Sequence, residues 1–275
     1  MDQSDRSDHT FTGSVPEIYD QFLVPLIFED YANDLVGRID ASGASSVLEV
    51  AAGSGVATRA MAAGLAPSVS LTATDLNQPM IDHAISIGTA RAVSWQAADV
   101  MDLPFEDETF DAVVCQFGVM FFPDPITAYT EVARVLRPGG IFVFSVWDRI
   151  ENNEFADVVT RAVATLWPND PPQFLPRTPH GYHDEGTIQG HVAVGGFDTP
   201  AGFEPLEVRS RAASCELPAV AYCQGTPLRN EIEARDPNRL VEATAVATAA
   251  LESRFGAKDL DSKIRGYVVT ATRAT

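Results

Sequence analysis

Basic residues are scarce in this chain of 275 residues: 19 Lys and Arg stand against 38 Asp and Glu, for a formal net charge of −19. Binding a phosphate backbone needs a surplus of cations, so this balance excludes nucleic acid as a partner and disfavours an anionic membrane surface. An acidic surface also keeps a protein soluble. Cysteine is equally scarce. Cys115, Cys215 and Cys223 are too scattered for a disulfide framework, and no C-x-x-C pair exists for zinc. The five histidines show no paired spacing beside carboxylates, so no metal is expected. No run approaches the roughly 18 apolar residues of a membrane span, and the opening MDQSDRSDHTFTG is polar rather than signal-like. These absences predict a cytoplasmic, reduced protein with neither membrane nor metal as partner.

What is present is a hydrophobic content of 45%, enough for a full core and for one large domain with an elaborated end. The most informative stretch is VLEVAAGSGVAT (47–58). An apolar, strand-like run carrying Glu49 stops at small residues around Gly53 and Gly55 and continues into the helix-like TRAMAAGL. A strand, a tight turn and a helix N-terminus let a nucleotide-like ligand approach bare backbone. Glycine belongs where a side chain would collide with the ligand or where φ is positive.

Fixed distances follow. VSLTATD (69–75) reads as a strand ending in Asp75, about twenty residues past the loop, and LNQPMIDHAISIG as a helix. AVSWQAAD (92–99) reads as a third strand ending in Asp99. DAVVCQFGV (111–119) is nearly continuous in apolar residues, as expected of a parallel strand covered on both faces. Then come a helix, PITAYTEVARVL, a Pro-Gly-Gly stop in RPGG (137–140) and a fifth strand, IFVFSVW (141–147). Successive β-then-α units imply a parallel sheet with helices on both faces.

EVAAGSG, TATDLN, AADVMDLPF, VVCQFGVMFFPD and EVARVLRPGGIFVFSVW, in that order, resemble the motifs of class I S-adenosylmethionine-dependent methyltransferases. Within these the chain is most similar to the small-molecule group of ubiquinone and menaquinone C-methyltransferases, over residues 15–150 above all. The resemblance implies an α/β fold: a Rossmann-like, seven-stranded, mostly parallel sheet with an N-terminal helical lid and a helical insertion before the last strand. It implies a single domain over 1–275, with the tail and lid in 1–40, the cofactor-binding core in 41–150, and substrate-side helices, insertion and last two strands in 151–275. The cofactor would be S-adenosylmethionine and the product S-adenosylhomocysteine. The partner would be a small-molecule methyl acceptor, taken by a monomer or homodimer.

Roles follow from the same resemblance. Ala51, Gly53 and Gly55 leave backbone open, and Glu49 holds the ammonium directly or through water. Asp75 accepts the ribose hydroxyls or caps the helix after it. Leu76 and Met80 line adenine and ribose, with Met80 equally suited to core packing. Asp99 accepts the adenine amino group, Val100 offers its N–H, and Gln116 meets the methionine end. The family usually has glycine where this chain has Ala51, whose methyl is tolerable if its φ stays negative. Methyl transfer is an in-line displacement and needs a base only when the acceptor must lose a proton; the candidates are His180, His183 and Tyr19. Tyr19, Phe22, Phe28, Phe117, Met120, Trp147, His180 and Tyr182 would suit an aromatic or hydrophobic acceptor, methylated at O or C. Two other classes are open. One is an NAD(P)-dependent oxidoreductase, against which Thr58 replaces the third glycine of G-x-G-x-x-G; the other is a non-catalytic S-adenosylmethionine-binding module.

Beyond the core, residues 1–13 read as a frayed tail and 15–39 as two helices broken at Pro25, with Leu26, Ile27, Tyr31 and Leu35 turned inward. Residues 153–167 suggest a helix, 168–183 a proline-rich loop, DEGTIQGHVAVGGF a helix stopped at Gly195–Gly196, and GFEPLEVRSRAASCEL a sixth strand. Residues 218–256 look helical between turns at Thr226-Pro227 and Asp236-Pro237. RGYVVTATRA (265–274) is a last strand, expected antiparallel.

Overall fold

The computed structural model describes residues 18–198 and 200–274, so the tail expected at 1–13 lies outside the described residues. Tyr19–Leu23 is a π-helical stretch and Val24–Ile27 a single helical turn. The break expected at Pro25 falls at Phe28 instead. Pro25 occupies the first turn of its helix, where a missing N–H costs nothing. Helix α1 (Glu29–Ser42) begins beyond it, and Leu26, Ile27, Tyr31 and Leu35 are all buried.

The βα series then runs β1 (Ser46–Glu49), α2 (Val56–Gly64), β2 (Ser70–Asp75), α3 (Gln78–Ile87), β3 (Ser94–Ala97), β4 (Phe110–Gln116), α4 (Pro125–Val135) and β5 (Leu136–Trp147). After it come α5 (Glu154–Ala164), α6 (Glu185–Val194), β6 (Gly202–Ser214), α7 (Glu216–Gln224), α8 (Leu228–Arg235), α9 (Leu240–Phe255) and β7 (Lys258–Thr272). The seven-stranded sheet has the order β3-β2-β1-β4-β5-β7-β6, and β1 to β5 pair in parallel. β7 runs against β5: Gly139 donates to the carbonyl of Arg273, while Asp148, further along, donates to that of Arg265. The three helices α7–α9 lie between β6 and β7, as the insertion predicts.

Residues cluster into two compact units. One holds Glu29–Val146, Tyr182–Leu206 and Gly266 onward; the other holds the described residues up to Phe28, with Trp147–Gly181 and Glu207–Arg265. In the first unit, side chains alternate across the sheet. Leu48, Val113, Cys115, Phe142, Phe144 and Val269 pack on one face with Tyr129 and Val132 of α4 and Ile188 and Val192 of α6. Their neighbours Val47, Ala112, Val114, Val143 and Val268 pack on the other with Leu35 and Ile39 of α1 and Met61 of α2. Period-two strands buried on both sides produce this pattern, which is why they read as continuous apolar runs. In the second unit α5, α7 and α9 pack together; Ala243, Ala247 and Leu251 recur every fourth residue on the buried stripe of α9.

Two strands begin well before the sequence reading places them. RPGG does not stop a helix ahead of the fifth strand; it lies inside β5. The pairing jumps from Phe110↔Leu136 to Ala112↔Ile141, so the segment bulges out of the ladder, with Gly139 at φ +76°. β7 starts at Lys258, seven residues before the expected point, because Leu260, Ser262 and Ile264 alternate inward with charged neighbours outward.

Candidate functional site

From β1 the chain goes outward through β2 and β3, then returns to β4 on the other side of β1. The connections leave β1 and β4 in opposite directions, opening a crevice at their carboxyl ends where this architecture takes ligands. A left-handed residue stands just past each strand, Ala51 after β1 and Phe117 after β4, each at φ +54°. The negative φ that would make Ala51 an easy substitute for glycine is therefore not what the fold adopts. Its methyl is accommodated against Gly118, where an added Cβ would come within 2.6 Å of it. Non-glycine residues held in this region cluster where the surrounding structure over-determines them, commonly at functional sites.

The two glycines of the loop do different work. Gly53, at φ +56°, has nothing within 4 Å of where a Cβ would stand, so its backbone is open to a ligand. Gly55, at φ +84°, faces the Ala84 methyl and the Trp95 ring, each 3.1 Å from a built Cβ. It serves the packing of α2 against its neighbours.

Hydrogen bonds knit the ends of β1 and β2 together. Thr74 donates its hydroxyl to the Glu49 carbonyl at 3.0 Å, and Ala52 N–H reaches the Thr74 carbonyl at 2.9 Å. Asp75 accepts the Gly53 N–H on Oδ2 and the Asn77 N–H on Oδ1, both at 2.8 Å. The residue preceding α3 is Asn77, so Asp75 is a loop tie and not the helix cap. Burial raises its pKa, against the pull of the Asn77 and Gly53 N–H groups. Glu49 is 2% exposed and accepts the Thr58 hydroxyl. Burial pushes it up to about 8, opposed by Thr58 and reinforced by the charge of Asp75.

The remaining cofactor candidates lie along the same edge. Asp75 pairs with Ala97, two residues before Asp99, and Glu49 with Val114, two before Gln116. Asp99 accepts the Met101 N–H at 2.9 Å, and Val100 leans on the α4 side of the core. Leu76 stands 63% exposed at the end of β2, an apolar surface facing water. Met80 is buried with Ile81 and Ala84 on α3. Gln116 is half-buried at the end of β4.

Of the base candidates, Tyr19 and His180 belong to the second unit and His183 to the first. Tyr19 stacks on Phe28 at 5.4 Å, Phe28 meets Trp147 at 5.9 Å, and Trp147 meets His180 at 6.2 Å. His180 Nδ1 lies 2.8 Å from the carbonyl of Asp148, an oxygen that can only accept. Nδ1 therefore carries the hydrogen of that bond. His183 is half-buried beside the exposed Asp184, the cap of α6.

Sequence reading missed several residues that shape the site. Thr58 registers there only as a lost glycine, yet its hydroxyl fixes Glu49. Arg134 on α4 gathers the loop that follows β3, donating to the carbonyls of Leu103 and Phe105 and pairing with Asp107 and Glu131. Nothing in its spacing marks that role. Among the described residues no group of three or more His, Cys, Asp and Glu could hold a metal, and no helix is long and apolar enough to cross a membrane.

Comparison with known proteins agrees with this geometry. Residues 48–144 match a family described as a methyltransferase domain. The demethylmenaquinone methyltransferase of Mycobacterium sp. strain KMS is 39% identical over 131 residues, 48% of this chain and 50% of that protein. The chain thus spans about half the length of that curated relative. The ubiquinone/menaquinone biosynthesis C-methyltransferase UbiE of Saccharophagus degradans is 25% identical over 209 residues, 70% of this chain and 78% of its own. Among solved structures, the YcgJ protein of Bacillus subtilis superposes with a TM-score of 0.56 at 17% identity, over 90% of this chain and 99% of that one, a likeness of fold. Residues 48–144 thus match a methyltransferase domain, in a chain similar to the demethylmenaquinone and ubiquinone/menaquinone C-methyltransferases.

Proposed function

We propose that the whole chain transfers a methyl group from S-adenosylmethionine to a small aromatic or hydrophobic metabolite, at carbon or oxygen. The observation that carries this reading is the joined edge of β1 and β2, where an open glycine backbone, Glu49 and Asp75 share one hydrogen-bonded frame. A carboxylate offers about four acceptor positions. Asp75 spends some on Gly53 and Asn77 and keeps capacity for ribose hydroxyls. Glu49 is suited to the amino-acid ammonium, Asp99 and the Val100 N–H to adenine, and the exposed Leu76 to a ring face. Bound S-adenosylmethionine supplies an electron-poor methyl. The protein's share is to hold an acceptor in line with it, and such positioning is worth up to about 7–11 kcal/mol in model systems.

The names of the relatives favour a quinol-like acceptor. The test is calorimetry with S-adenosylmethionine, S-adenosylhomocysteine and NADH, followed by a panel of demethylquinols and phenols scored for S-adenosylhomocysteine release. Binding of the first two ligands with turnover of an aromatic acceptor is the expected result. Tight NADH binding without S-adenosylmethionine binding overturns the reading.

A further inference from the structure

Glu49 and Asp75 are two buried carboxyls, 2% and 7% exposed, at the ends of adjacent strands. Among the described residues the hydrogen bonds that reach them come from neutral donors: the Thr58 hydroxyl on Glu49, and the Gly53 and Asn77 N–H groups with the Asn77 side-chain amide on Asp75. Among the described residues, two charged groups act on Glu49 from the elements around it, with one thiol nearby. Asp75 on β2 repels its charge; Arg59 on α2 favours it, while its Nη1 donates to the Ser54 carbonyl at 2.6 Å. Cys115 on β4 is a buried thiol that burial keeps protonated. Two ionised carboxylates in so dry a place, with Arg59 the one cation among the described residues acting on Glu49, are costly. The cheapest remedy is a proton on one of them, as in other carboxyl pairs that share a site.

Building on the cofactor reading above, we propose that Glu49 holds a proton until an ammonium-bearing ligand enters, and releases it to solvent as that cation arrives. One proton leaves the Glu49 carboxyl for water or buffer, and the ligand ammonium, already charged, keeps its own hydrogens. The site thereby exchanges one positive charge for another and never has to bury two uncompensated carboxylates. Burial and the neighbouring Asp75 charge, which hold Glu49 up near 8 against the Thr58 hydrogen bond, agree with this assignment. A ligand without the ammonium gains nothing from the exchange, so the same pair discriminates against a bare nucleoside.

The test is isothermal titration of the full chain with S-adenosylhomocysteine at pH 6.5, in two buffers of different ionisation enthalpy. Adenosine serves as the ligand that lacks the ammonium. The expected result is release of about one proton per S-adenosylhomocysteine and none per adenosine. Between pH 5.5 and 7.5 the S-adenosylhomocysteine Kd should fall about tenfold per pH unit. Glu49→Gln should abolish the proton release and flatten that slope. Thr58→Val, which removes only the donor favouring the ionised form, should keep the release and weaken binding at pH 7. S-adenosylhomocysteine binding with no proton released by the wild-type chain overturns this inference and leaves the cofactor reading standing. Failure of S-adenosylmethionine and S-adenosylhomocysteine alike to bind overturns both.

Discussion

Oδ2 of Asp75 accepts the backbone N–H of Gly53 at 2.8 Å, tying the acid at the end of β2 to the loop that leaves β1. The same carboxylate also holds the Asn77 N–H, so Asp75 fixes the shape of both turns before any ligand contacts it. A substitution here acts on stability as well as on binding. Hydrogen bonds to a charged group contribute about 1.5–3 kcal/mol each. Asp75→Ala is therefore expected to lower Tm and to weaken S-adenosylhomocysteine binding by tenfold or more. Asp75→Asn retains one acceptor oxygen and should fall between the two. Unchanged Tm with lost affinity would mean that the ties to Gly53 and Asn77 carry no weight.

Gly53 and Gly55 should separate ligand binding from packing. Gly55→Ala meets Ala84 and Trp95 at 3.1 Å and also holds a left-handed backbone, so overpacking and strain together should cost about 2–4 kcal/mol of stability. Gly53→Ala meets nothing within 4 Å and should cost only the backbone term, about 1–2 kcal/mol. Its methyl would stand in the open space left for the ligand, so its larger effect should be on affinity. Denaturant melts and calorimetry on both variants check this; equal stability losses would sink the distinction.

Ala51 offers the opposite experiment. At φ +54° it carries left-handed strain that glycine would not. Against this, its methyl packs toward Gly118, and glycine adds unfolded-state freedom. Ala51→Gly is expected to stabilise the chain modestly, by about 0–1 kcal/mol. A loss above about 1 kcal/mol would show that the methyl contact outweighs the strain.

How much of this was legible beforehand depends on whether the signal was local. The βα series and its strand ends were readable because apolar runs, loop glycines and terminal acids sit within each motif: Glu49, Asp75 and Asp99 all fall at or just past strand ends. What escaped was carried by partners distant in sequence. The RPGG segment belongs to a strand only because Arg273 pairs with Gly139 and Gly140. Thr58 looked like a lost glycine because its bond to Glu49 is a matter of side-chain geometry nine residues away. The helix break at Phe28 went to Pro25 because a proline in a first turn looks, in sequence, like one that ends a helix. The left-handed φ of Ala51 is a further case, since nothing in its neighbours announces that turn.

Glu49 should also leave a mark on folding itself. In the unfolded chain its carboxyl titrates near 4.5; in the fold, burial raises it to about 8. Between those values the folded state holds a proton that the unfolded state has lost. The stability this provides is complete below about pH 4.5 and is lost as pH rises through 8, at a slope of up to about 1.4 kcal/mol per pH unit. Asp111 acts in the other direction and in another window. Burial would raise its pKa, but hydrogen bonds from Ser45, Arg137 and Ser46 hold it well below the usual carboxylate range. Its contribution is present above about pH 4 and lost only in stronger acid. The comparison that isolates Glu49 is therefore between the wild-type chain and Glu49→Gln, by urea unfolding from pH 5 to 8.5 without ligand. The wild type should lose stability relative to the variant steadily across that range, and the two curves should run parallel beyond it. Parallel curves from pH 5 onward would mean that the Glu49 carboxyl is ionised throughout, with Thr58 and Arg59 sufficient to hold its charge inside the fold.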